Sequence, residues 1–148
     1  MADRPPLTWV LLALVVQFLG YVFDAVWHGI LRPGVEPATL ADMTRHLATV
    51  HLPLYLGAAA VLGSTVWALR REMGRAGVVL PIAVGGAALS VVGEAWHAYS
   101  HLRLDTHSAP LAGLLSLVGY VVAVVAVSLW ARTRRRRGAR RPDERRAA

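Results

Sequence analysis

The stretch VVLPIAVGGAALSVVGEAWHAYSH, residues 78–101, decides how the rest of this chain is read. From Val78 to Tyr99 it is apolar, and at about 20 residues it is long enough to cross the ~30 Å hydrocarbon core of a bilayer as a helix. It nevertheless carries Glu94, His97 and His101. A carboxylate at the centre of a membrane helix costs on the order of 2.5–3.5 kcal/mol even on a lenient insertion scale. Such groups therefore face a bundle interior, pair with something and mark function. A helix turns about 100° per residue, so positions three, four and seven apart share a face. Glu94, His97 and His101 have that spacing and form one narrow stripe.

Three further segments resemble this one in length and hydropathy: Leu7–Leu31, Leu47–Leu69 and Leu111–Trp130. Hydrophobic residues make up 55% of the 148 and charged residues only 17%, which strains any water-soluble reading. The first segment is too long for a signal peptide, has one arginine before it and lacks a small-x-small cleavage site, so it reads as a retained helix. The expected fold is all-α: a polytopic membrane protein built as a four-transmembrane-helix bundle. Its domain covers residues 1–131, with helices at about 7–31, 47–69, 78–100 and 110–131. Cysteine is absent, which excludes disulfides, thiolate metal sites and cysteine nucleophiles.

Charge sets the expected orientation. From Arg132 to Ala148 nine arginines face only Asp143 and Glu144, while residues 1–131 hold seven arginines and seven acids. The connection RREMGRAG (70–77) is basic too, whereas the connections Arg32–Arg45 and Leu102–Ala109 are balanced. Cytoplasmic loops are the ones enriched in Lys and Arg. The chain is thus expected in the cell (inner or plasma) membrane as a multi-pass protein with both termini cytoplasmic. Trp9, Trp67 and Trp130 then fall near the inner interface, and Trp27, Trp96 and Tyr99 near the outer one. The tail 132–148, a run of like charge, is expected to be disordered and drawn to anionic lipid head groups. No folded basic module accompanies it, so nucleic acid is not an expected partner.

All six histidines fall at the outer end: His28, His46, His51, His97, His101 and His107. The first helix adds its own stripe, Gln17, Tyr21, Asp24 and His28, and the second aligns His51 with Tyr55. His46 precedes His51 by five residues, which on an α-helix points the two well apart. The fourth helix offers Ser116 and Tyr120. DAVWH (24–28) resembles EAWH (94–97), and HLPL (51–54) resembles HSAPL (107–111), so a two-helix internal repeat is a possible reading. An axis along the membrane normal would then bring both acids to one site.

Two intramembrane acids and several histidines without thiols suit a metal held by nitrogen and oxygen. The expected ligands are Asp24, His28, His51, Glu94, His97 and His101. Iron, copper and zinc all fit these donors; four or more histidines lean towards copper or zinc, and two bridging carboxylates towards a di-iron pair. Glu-x-x-His matches a spacing used by dinuclear carboxylate bundles, but only one such element is present. No HExxH occurs, which argues against zincin protease chemistry. The roles that fit are metal-dependent oxidation or hydrolysis of a lipophilic substrate, or metal handling. Two alternatives stand beside them. One is a b-type haem held by two histidines, such as His28 or His51 with His97. The other is a proton-coupled carrier or accessory subunit without metal, whose acid–histidine pairs exchange protons; at this size a carrier would act as a homodimer.

Overall fold

A computed structural model describes residues 6–35, 37–73, 77–105 and 108–144, with side chains described as far as Arg137. Helix α1 (Pro6–Val26) runs without a break into a π-helical turn, Trp27–Leu31. Helix α2 (Leu40–His46), a second π-helical turn (Leu47–His51) and α3 (Leu52–Arg71) form another continuous rod. Helices α4 (Val79–Leu102) and α5 (Ala109–Glu144) complete the fold. All four rods are long and apolar enough to cross a membrane.

Two boundaries differ from expectation, each for a local reason. The second rod begins at Leu40, ahead of the apolar run at Leu47, because Thr39 caps it. The Thr39 hydroxyl accepts from the Asp42 N–H at 3.2 Å and donates to the Asp42 carboxylate at 2.8 Å, which satisfies a donor that a helix start leaves open. The last rod continues through the arginine run to Glu144, where a disordered tail was expected from residue 132. Arginine is a good helix former, and extending an existing helix is far easier than nucleating one.

The rods pack as two hairpins, α1 with α3 and α4 with α5, and the hairpins meet mainly through α3 and α4. Each hairpin is drawn tight by a reciprocal pair of glycines. A Cβ on Gly20 would lie 2.7 Å from Leu54 Cα, and one on Gly57 would lie 2.5 Å from Gln17 Cα. In the second hairpin a Cβ on Gly93 would collide with the Ser116 backbone, and one on Gly119 with that of Ser90. Close backbone approach at small residues is how helices associate in lipid, where hydrophobic burial offers little.

The distribution of side chains is inverted relative to a water-soluble bundle. Phe18, Leu19, Leu56, Ile82, Val92, Leu114 and Val125 are exposed, whereas Gln17, Thr65, Ser90, Glu94 and Ser116 are buried. An apolar exterior of this extent is a liability in water and is matched in hydrocarbon. Towards one end the interior is apolar, formed by Val10, Leu14, Val61, Leu80, Val127 and Trp130. That end closes with Trp130 Nε1 donating to Glu72 at 2.9 Å and with Arg134 paired to the same carboxylate at 3.2 Å. The other half buries His46, His51, Glu94, Ser100 and His101 alongside Met43, Val50 and Leu54.

Candidate metal centre

Five imidazoles meet at the polar end. His28 sits on the first π-helical turn, His46 closes α2, His51 closes the second π-helical turn, and His97 and His101 occupy the last two turns of α4. His51 is fully buried and central: its ring centroid lies 5.0 Å from that of His46, 5.2 Å from His97, 5.3 Å from His101 and 5.5 Å from His28. Asp24, His28, His51, His97 and His101 share the wall of one cavity of about 280 Å³. Five of the six expected ligands are therefore brought together. His107 lies outside the described residues.

The ring nitrogens lie close enough to share an ion or a proton. His28, His46 and His51 each offer a ligand atom within 4.8 Å of the other two. His46 Nε2 and His51 Nε2 are 3.2 Å apart, and His97 Nε2 and His101 Nε2 are 2.8 Å apart. Two imidazole nitrogens at about 2.0–2.1 Å from one tetrahedral ion lie about 3.3 Å from each other. Asp24 lies against two of the rings. Its Oδ1 is 3.1 Å from His51 Nδ1 and 3.6 Å from His28 Nε2. A carboxylate against one nitrogen of an imidazole fixes the ring and turns the other nitrogen to an ion.

His46 is the residue that α-helical periodicity misses. Five residues correspond to roughly 140° of separation on an α-helix at about 100° per residue. In a π-helical turn the bonding runs from i to i+5, which stacks such residues instead. The cause is Pro53, two residues beyond His51. Proline supplies no N–H and crowds the carbonyl four residues back, so the turn before it opens. The Thr49 hydroxyl takes up the slack, donating to Arg45 O at 2.8 Å and His46 O at 3.3 Å. The sequence signal was present as a His-x4-His spacing directly upstream of a proline.

Glu94 sits apart from the cavity wall, one turn deeper than His97, with its Oε2 3.8 Å from His97 Nδ1. Its neighbours are hydroxyls. Ser116 donates to Glu94 Oε1. A hydroxyl has one hydrogen, so the Ser116 contacts with Tyr21 at 2.7 Å and Ser90 at 3.0 Å must be ones it accepts. Gln17 Nε2 in turn donates to Ser90 at 2.7 Å and to Tyr21 at 3.3 Å. Every hydrogen in this chain across α1, α4 and α5 points towards Glu94, which makes it the terminal acceptor. The stripe Gln17–Tyr21 and the residues Ser90 and Ser116 thus surround Glu94, while Asp24 lies against His28 and His51.

No protein-family model, curated protein or solved structure matches this chain, so its chemistry is read from these residues alone.

Proposed function

We propose that this chain is an integral membrane protein holding a histidine-rich transition-metal centre at the outward end of its bundle. The observation that carries the reading is the convergence of His28, His46 and His51 to within 4.8 Å, two of the three buried. His97 and His101 form an adjoining pair that can complete the same ion's shell or begin a second site. With five imidazoles and Asp24 beside two of them, copper or zinc suits the donors better than a carboxylate-bridged di-iron pair. Rings in mutual contact at 4.6–5.5 Å leave no slot for a macrocycle between them, which weighs against haem. His46 also lines a larger outer cavity of about 540 Å³ with Arg32, Asp42 and Arg45, an entry path for an ion. The function that follows is metal-dependent oxidation of a lipid-soluble substrate with copper, its hydrolysis with zinc, or handling of the metal itself.

The proposed setting is the cell membrane with both termini cytoplasmic, on the strength of the basic 70–77 connection and the arginine tail. A cysteine at Asp105 should react with a membrane-impermeant label in intact cells and one at Gly74 should not; the reverse would turn the site inwards. The equivalent glycine contacts also support the two hairpins as an internal repeat. A proton-exchange role without metal is favoured by the hydroxyl chain ending on Glu94. Metal analysis separates the two readings. Purified protein should retain one or two copper or zinc ions per chain and show no Soret band. Protein that is metal-free yet fully stable would overturn the metal centre in favour of proton exchange.

A further inference from the structure

At the end of the bundle away from the histidines, a separate cavity of about 330 Å³ lies where the start of α1, the end of α3 and α5 come together. Four of its five lining residues are charged: Arg71, Glu72, Arg134 and Arg137, with Pro6 completing the wall. Glu72 is already engaged within the protein. One of its oxygens accepts from Trp130 Nε1 at 2.9 Å, and the other pairs with Arg134 at 3.2 Å. Arg134 also lies over the Trp130 ring, 5.3 Å from its centroid, and Arg71 lies over Trp67 at the same distance. Arg71 forms no ion pair among the described residues.

Three guanidiniums against one neutralised carboxylate make this cavity a well for an anion. Stacking on a tryptophan one turn back on the same helix holds the heads of Arg71 and Arg134, so less side-chain freedom is lost when their N–H forks bind. Such forks match phosphate oxygens in bidentate pairs. A phosphate monoester carries about −1.5 to −2 charge at pH 7 and three acceptor oxygens, which balances the positive charge that Glu72 leaves over. A carboxylate or a phosphodiester brings a single charge and answers fewer of the donors. The position of the cavity points to the source of the phosphate. Trp9 and Trp67 lie one helical turn from Pro6 and Arg71, and such rings sit at headgroup level. The exterior of α1 is apolar from its first turns, with Trp9, Leu11 and Leu12 exposed. The cavity thus lies where hydrocarbon gives way to headgroups.

We propose that this cavity binds the phosphomonoester head of one anionic lipid, with Arg71 and Arg137 donating to its oxygens while Arg134 stays on Glu72. This differs from diffuse attraction along the arginine run, because it assigns one lipid per chain to named residues. It is independent of the metal centre, which lies at the other end. The test titrates full-length protein in detergent with dioleoyl phosphatidic acid, a monoester, and dioleoyl phosphatidylglycerol, a diester, read by native mass spectrometry. One phosphatidic acid should bind per chain, about 10-fold or more tighter than phosphatidylglycerol, the worth of one charge-assisted hydrogen bond. Arg71→Gln with Arg137→Gln should abolish that preference. The contacts of Glu72 with Trp130 and Arg134 remain in this variant, so the end of the bundle stays closed. Arg135→Gln with Arg136→Gln removes the same charge from exposed positions that do not line the cavity, and should keep the preference. Phosphatidic acid should also raise the melting temperature of the wild type but not of the Arg71, Arg137 variant. Equal binding of the two lipids, or equal losses in the two double variants, overturns the site in favour of diffuse attraction. Inorganic phosphate displacing phosphatidic acid at equal concentration overturns the lipid as its ligand.

Discussion

In the first hairpin Gly20 meets Leu54 and Gly57 meets Gln17; in the second Gly93 meets Ser116 and Gly119 meets Ser90. The motifs QFLG, LYLG, SVVG and SLVG (17–20, 54–57, 90–93, 116–119) occupy equivalent contacts. This register places Tyr21 against Glu94, Asp24 against His97 and His28 against His101. The likeness of DAVWH to EAWH had paired Asp24 with Glu94 instead. Glycine contacts set the register because backbones can approach closely only there, whereas polar residues tolerate a shift of one turn. The consequence is a division of labour. The first hairpin carries its acid level with the histidines, against His51 and His28. The second carries its acid one turn deeper, among hydroxyls, and has two histidines above it. On the returning helices the difference is sharper: His51 is matched by Gly113, which lines the cavity and leaves room beside His97.

Removing the residue without a counterpart should have the largest effect. His51 touches every other imidazole of the cluster, so His51→Ala should lower metal affinity by more than about 100-fold, beyond what loss of an outer-shell partner costs. His97→Ala should leave the His28, His46 and His51 set intact and cost less. Metal content of the two variants by mass spectrometry checks this; equal losses would mean that the hairpins contribute alike and the asymmetry is only structural.

The π-helical turn is the next point of contrast, since α4 reaches its histidines by ordinary i, i+4 spacing and α2–α3 does not. Pro53→Ala restores the missing N–H and removes the ring clash, a gain of up to about 3 kcal/mol for a regular helix. The variant should melt at a higher temperature and bind metal more weakly, because an α-helical turn carries His46 away from His51. Higher stability with undiminished metal binding would detach the π-helical turn from function.

The rods and the common level of the histidines were legible because hydropathy acts over many residues. The five-imidazole cluster was nearly legible too, since Asp24, His28, His97 and His101 keep the α-helical period. Two features lay beneath that level. His46 depended on a local departure from the period, whose cause, Pro53, lies outside the His-x4-His interval itself. The separate surroundings of Asp24 and Glu94 depended on which helices touch at which glycine, a tertiary fact that no single-helix stripe contains.

The smallest effect distinguishes those two carboxylates. Asp24→Asn keeps the size but removes the charge that lies 3.1 Å from His51 Nδ1, and changes of this kind beside a ligating imidazole cost about 10- to 100-fold in metal affinity. Glu94→Gln should behave otherwise. Its Oε1 can still accept from Ser116, and a neutral amide costs less to bury than a carboxylate whose second oxygen has no hydrogen-bond partner among the described residues. Metal affinity should therefore change less than in Asp24→Asn, while the melting temperature holds or rises. Measured side by side in the same detergent and with saturating metal, the pair decides between two assignments of the deep acid. If Glu94→Gln loses metal as severely as Asp24→Asn and melts lower, Glu94 belongs to the ion's own ligands. The second hairpin would then reach up to the cluster with its acid as the first does, and the division of labour between the two would not hold.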